Sequence, residues 1–294
     1  MSSFHLAGII PVAGQPLDFK MDWHDALMPI APDYLAVERA VSECAWAGCE
    51  TIWIVCNDDI EPLIRYRLGE WVQDPVWIGR RLDPYPSQTR KQIPIFYVPI
   101  RAKDIGKRDC LAWSILHGAV TAFEISARLS KWVIPTRNYV AFPYGVYDPE
   151  ILREHRKDIS SERPFMLSHA GKTVQDGEYL GFTFDKDDFV IARRKIREGT
   201  GRYNSKVLEG GLYPREKLPK EERWSARYFS LDKIFKSVII DIESKVEVPW
   251  YYNIDSWDGY CDFLSSEERK KVERPRPIFM KYHEWNEIGV DDES

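Results

Sequence analysis

Short apolar runs alternate with amphipathic stretches along the first 135 positions of the chain. The run "HLAGIIPVAG" stays apolar until Gly14, which predicts a strand buried on both faces that ends in a loop. A polar, proline-containing loop follows. In "PDYLAVERAVSECAWAG" apolar side chains then recur at three-to-four spacing, with Pro32 and Asp33 marking a helix start and Gly48 its end. "TIWIVCN" reads as a second buried strand, "DIEPLIRYRLGEWV" as a helix, "IPIFYVPI" as a strand, "RDCLAWSILHGAVTAFEISARL" as a long helix and "KWVIPT" as a fourth strand.

Strand, helix and strand within some 50 residues form the βαβ rhythm of an open parallel sheet, and the handed crossover predicts a doubly wound, Rossmann-like α/β fold. After residue 135 the rhythm changes. "GEYLGFTF" and "FVIARRKI" read as strands that make the sheet mixed, and "WSARYFSLDKIFKSVI" returns to helical spacing. The glycine-rich, then charged "GTGRYNSKVLEGGLYPREKLPKEERW" reads as an exposed excursion, and the tail ends in acidic residues. The expected organisation is one domain over 1–268, with halves 1–135 and 136–268, and a charged peripheral tail over 269–294.

Composition narrows the function. With 44% hydrophobic and 30% charged residues the chain can bury a core and is not disordered. A formal net charge of −5 argues against a dedicated nucleic-acid binder, although "FVIARRKIREGTGR" gathers Arg193, Arg194, Lys195, Arg197 and Arg202. No run reaches the roughly 18 apolar residues of a membrane span, and the N-terminus has no basic segment before an apolar core, so a soluble, cytoplasmic protein is expected. Five scattered cysteines without a CxxC pair read as reduced core thiols. The six histidines match no HExxH pattern; His24, in the first loop, is the one placed near expected chemistry.

In order along the chain, "AGIIPVAG", "LMPIAPDYLAVERAVSECAWAGCETIWIV", "IGKRDCLAWSILHGA", "WVIPTRNYVAFPYGV" and "YYNIDSWDGYCDFLSSEE" resemble the segments of the sugar-1-phosphate nucleotidylyltransferase family, over roughly residues 6–268. The resemblance implies a nucleotide-diphospho-sugar transferase type of fold, with a mixed Rossmann-like sheet. It also implies a reaction in which a sugar phosphate attacks a nucleoside triphosphate and pyrophosphate leaves. That chemistry rests on neutralising charge around phosphorus, with Mg²⁺ held on carboxylates.

By the same resemblance, Gly14 and Gly106 with Lys107 and Arg108 stand where the nucleotide is held. The charged parts are altered. Pro16 removes an N–H from the first loop, Asp18 occupies the approximate place of the family's arginine, and Lys20 is the cation near enough to compensate. Asn138 and Asn253 stand at the family's two metal positions, and Asp148 and Asp255 are the carboxylates able to replace them after a register shift. Two readings follow. In one, the chain is catalytically degenerate and serves as a nucleotide or nucleotide-sugar binding module, or as a scaffold with a protein partner or in a homo-oligomer. In the other, it is a divergent Mg²⁺-dependent nucleotidylyltransferase using Asp18 and Lys20 for catalysis and Asp148 and Asp255 for metal.

Overall fold

The computed structural model describes residues 4–14, 23–76, 92–201, 203, 210–211, 217–219, 223–236, 238 and 244–275. The first apolar run is strand β1 (Leu6–Pro11), buried throughout. A small hairpin, β2 (Pro29–Ala31) and β3 (Tyr34–Leu35), leads into helix α1 (Ala36–Ala47), which ends at Gly48 with φ +88°. Strand β4 (Thr51–Cys56), helix α2 (Glu61–Leu68), and strands β5 (Trp71–Gln73) and β6 (Gln92–Pro99) follow, then the long helix α3 (Leu111–Leu129).

The second half contains β7 (Arg137–Val140), β8 (Gly145–Val146), α4 (Leu152–Ile159), β9 (Phe165–Ser168), β10 (Phe182–Phe184), α5 (Lys186–Glu198) and α6 (Leu231–Phe235). It closes with β11 (Ser244–Glu247), β12 (Tyr252–Asn253) and α7 (Trp257–Ser265). Eight strands make one sheet in the order β11-β9-β10-β7-β1-β4-β6-β5. β7, β1, β4 and β6 are parallel, whereas β10 and β5 run against their neighbours. The chain leaves β1 toward β4 and β6 and later returns to its other side as β7. Ligands of open α/β sheets bind beyond the carboxyl ends of the strands at such a reversal of order.

Two expected strands differ. In "KWVIPT", Lys131–Val133 is a 3-10 turn and pairing begins only at Arg137, since Pro135 has no N–H to give a ladder. "FVIARRKI" is helical, within α5. The Asp185 carboxylate accepts from the N–H groups of Asp187 and Asp188 at 2.9 and 3.1 Å, and Asp188 accepts from the Asp185 N–H at 3.3 Å, a reciprocal cap that starts the helix. Ala192 and Ile196, one turn apart, are its buried face. Of "GEYLGFTF", only Phe182–Phe184 pairs.

All five cysteines are free thiols, four of them buried. The charged excursion lies mostly, and the tail from 276 entirely, outside the described residues. Beyond 268 the chain is still tied down: Arg274 reaches Asp33 at 2.7 Å and Glu38 at 3.2 Å at the start of α1.

Candidate functional site

Past the end of β1, the Val12 and Ala13 N–H groups both donate to the Val55 carbonyl, at 2.9 and 2.8 Å, which turns the chain over the end of β4. Gly14 then lies against the first turn of α3. A Cβ there would stand 3.0 Å from the Leu111 nitrogen, so a side chain would push the loop off the helix. Ser114 fastens the contact by donating to the Ala13 carbonyl. Asp18 and Lys20 lie outside the described residues. The chain returns at Trp23, and His24 Nδ1 accepts from the Ala26 N–H at 3.2 Å. Burial lowers the His24 pKa, with Asp25 and Asp59 acting against it.

The segment expected to hold the base is a series of turns. Gly106 adopts φ +69° with open space where a Cβ would project, so its surface is accessible. Arg108 is drawn inward: its Nε donates to the buried Asp104 carboxylate at 2.8 Å and its guanidinium stacks 4.2 Å from the centre of the Trp113 ring. The Trp113 indole N–H completes that cluster by donating to Asp104 at 3.3 Å. Arg108 thus secures the turn, while Lys107 is half-buried beside it.

The other wall follows β7. Its continuation, Ala141 to Tyr147, is fully buried, and β8 pairs with β12 so that Gly145 faces Asn253. The Tyr144 hydroxyl donates to the Val12 carbonyl at 3.3 Å, tying this wall to the end of β1. The Tyr144 ring meets Tyr179 edge-on at 5.4 Å. The Tyr179 N–H donates to the Tyr251 hydroxyl at 3.0 Å, and that hydroxyl donates to Glu178 at 3.2 Å. Asp255 joins this group: burial raises its pKa, against hydrogen bonds from Tyr179 and Asn253 that lower it. The result is an aromatic wall with two carboxylates, Glu178 and Asp255, set into it.

The structure does not bring Asn138 and Asn253 together. Asn138 is the second residue of β7, in register with Ala7 near the start of β1, whereas Asn253 pairs beyond the far end of β7. The residue types at the carboxyl end of β7 are instead Phe142, Pro143 and Tyr144. Asp148 is also elsewhere in its bonding: exposed, it accepts from the Glu150 N–H at 2.9 Å and caps a 3-10 turn. Asn253 Oδ1 already accepts the Asp255 N–H at 3.0 Å. Among the described residues no three His, Cys, Asp or Glu side chains group as a metal site. A small hard cation asks for several free oxygens, and among the described residues a neutral amide bonded to its own turn with two carboxylates that each accept from a tyrosine, Glu178 and Asp255, does not fit Mg²⁺.

Tyr144, Tyr179, Glu178 and Tyr251 were not anticipated as a group. A local signal for them exists in "GEYLG" and "YGVY", where aromatic residues sit beside glycines. Gly145 is required there because a Cβ would run into the Tyr179 carbonyl oxygen.

No family model matches the chain, and no curated protein matches it. Solved structures do. A protein described as a glucose-1-phosphate thymidylyltransferase from Bacillus anthracis, in complex with sucrose, superposes with a TM-score of 0.55 at 11% identity, covering 92% of this chain and 98% of that one. A UDP-glucose pyrophosphorylase complexed with UDP-glucose gives 0.52 at 13% identity, covering 91% and 100%. The apo form of a UDP-glucose pyrophosphorylase also gives 0.52 at 13%. The fold is therefore α/β with a large, mostly parallel central sheet of the nucleotide-diphospho-sugar transferase type, a nucleotidyltransferase-like architecture.

Proposed function

We propose that the chain keeps the cleft of this fold as a binding site for a nucleotide or nucleotide sugar, and does not carry out pyrophosphorylase chemistry. It acts as a cytoplasmic binding module, or as a scaffold that joins a protein partner, built as one domain through residue 268. The observation that carries this reading is the 3.0 Å bond from the Asp255 N–H to Asn253 Oδ1. Where the resemblance puts a metal-binding carboxylate there is a neutral amide, spent on shaping its own turn. Phosphoryl transfer depends on positioned charge, so its removal spares binding more than catalysis.

Gly14 on the first turn of α3 and the open surface at Gly106 support a flat ring lying against backbone, with Lys107 beside it. The half-buried Tyr251, backed by the buried Tyr144 and Tyr179 and flanked by the half-buried Glu178 and Asp255, supports a sugar on the opposite side, where a ring and carboxylates meet hydroxyl groups. The test is calorimetric titration with nucleoside triphosphates and nucleotide sugars, with and without Mg²⁺, alongside an assay for pyrophosphate. Binding of a nucleotide sugar that Mg²⁺ does not change, without pyrophosphate release, is the expected result. Mg²⁺-dependent release of pyrophosphate from a triphosphate and a sugar phosphate would overturn it in favour of an active enzyme. A failure of every nucleotide to bind would leave the scaffold role alone.

A further inference from the structure

At the opposite end of β7 from Tyr144, a mainly apolar cavity of about 810 Å³ opens between α3 and α5, with Phe4, Phe123, Ile134, Phe189 and Val190 in its walls. Two of these stand at the surface: Phe123 on α3 is 52% exposed and Val190 on α5 is 53% exposed.

Helix α5 also carries the run of cations in "FVIARRKIREGTGR". Arg193, Arg194 and Arg197 are exposed, and with Val190 they follow the i, i+3, i+4, i+7 spacing of one helix face. These four residues line a second depression that continues the first along the helix, since Val190 belongs to both. Arg193 spans the join, its guanidinium 6.0 Å from the centre of the Phe189 ring. Among the described residues none of the three arginines makes an ion pair, although Glu198 lines the same depression. Glu162, Asp185 and Asp187 border the other end of the groove, so the negative charge of an occupant is confined to the end at Arg194 and Arg197.

We propose that this groove docks an acidic segment of a protein partner. An aromatic or branched aliphatic side chain of the partner enters the cavity between Phe123 and Val190, and its carboxylates meet Arg193, Arg194 and Arg197. Val190 and Arg197 stand two turns apart, about 10 Å along the helix axis, which sets the distance from the anchor to the last carboxylate. Exposed apolar surface rimmed by polar groups is the form of a protein-binding site, and an amphipathic helix laid in a groove presents anchors and charges at that spacing. Arginine suits the role because its planar fork bonds a carboxylate through two N–H groups. A nucleic acid is disfavoured by the acidic end of the groove and by the net charge of −5. The surface gives the scaffold role a location and does not require the cleft to bind a nucleotide.

The test is fluorescence anisotropy of the full chain, without nucleotide, with three labelled synthetic peptides: the acidic WEELLEELEE, the cationic WKKLLKKLKK, and SEESSEESEE, which keeps the charges without the anchors. WEELLEELEE is expected to bind, the other two to bind at least about tenfold more weakly, and added salt to weaken the complex. Arg194→Glu/Arg197→Glu should weaken the acidic peptide by at least about tenfold and gain the cationic one, a reversal that unfolding does not produce. Phe123→Ser, at a surface position, should weaken WEELLEELEE through loss of the anchor's wall. Absence of WEELLEELEE binding to the natural chain would overturn the assignment. So would equal binding of SEESSEESEE, no reversal in the charge-swapped chain, or tighter binding of duplex DNA or of vesicles containing phosphatidylglycerol.

Discussion

Arg39 and Glu43, one turn apart on α1, form an ion pair closed off from solvent, with Nη2 2.8 Å from Oε2. The same nitrogen donates to the Phe142 carbonyl at 2.7 Å, and the other Glu43 oxygen accepts from the Tyr139 hydroxyl at 2.7 Å. The Tyr147 ring lies 4.5 Å beneath the guanidinium. Burial pushes the Glu43 carboxyl up, and the Arg39 guanidinium opposes it. The pair therefore fastens α1 to β7 and to the segment that carries Tyr144 into the cleft.

Breaking such a pair from one side leaves a buried charge without its partner, which costs about 3–5 kcal/mol. Arg39→Met and Glu43→Gln are each expected to lose stability on that scale in urea unfolding. The double variant Arg39→Met/Glu43→Leu should lose less than the sum of its parts, because no charge is left behind. Additive losses would show that the two side chains act independently.

Gly145 allows β8 to lie against the Tyr179 backbone, and an added methyl has no room beside that carbonyl or the Tyr251 ring, 3.0 Å away. Gly145→Ala is expected to cost about 1–3 kcal/mol, as overpacking does, and, on the proposed function, to weaken nucleotide-sugar binding by separating the two halves of the tyrosine wall. Thermal unfolding and calorimetry check the two parts separately.

The Tyr179 hydroxyl donates to Asp255 and holds its pKa down against burial. Tyr179→Phe removes the donor while keeping the ring, so the Asp255 carboxyl should titrate at higher pH than in the natural chain. Carbon-13 NMR of the carboxyl reads this directly. An unchanged or lower titration point would show that the hydrogen bond does not govern the group.

Burial raises the Asp188 pKa from 3.8 to about 6, opposed by its hydrogen bond from the Asp185 backbone; Asp185 and Asp187 raise it further and Arg137 lowers it. The folded chain therefore keeps this proton over a window in which the unfolded chain has lost it. Stability from this group is present at low pH and is lost as pH rises from about 4 to about 6. In Asp188→Asn the contribution disappears. Its urea midpoint, compared with the natural chain at each pH, should improve steadily across that window and level off above it.

The alternation of buried strands and helices was legible over β1, α1, β4 and α3, because strands covered on both faces are continuously apolar and helices covered on one face show their period. Helix α5 was misread as a strand. The run "FVIARRKI" is short, and the deciding signal lay upstream in the reciprocal cap of Asp185 and Asp188. The Asn-x-Asp turn at Asn253 is a local feature, since its Oδ1 accepts the N–H of Asp255 two residues on.

The sequence by itself determined which segments could be buried, and with them the parallel order of the central strands. Only the tertiary structure decided which residues share one end of those strands. Asn138 and Asn253, alike as letters in a motif, stand toward opposite ends of β7, because a few residues along an extended strand carry a side chain from one end of the strands to the other. Likewise Tyr144, Tyr179 and Tyr251 come from three distant segments, and Arg39 is joined to Phe142 across 103 residues. Contacts of that reach are made by the packing of α1 on the sheet and leave no period in the chain to read.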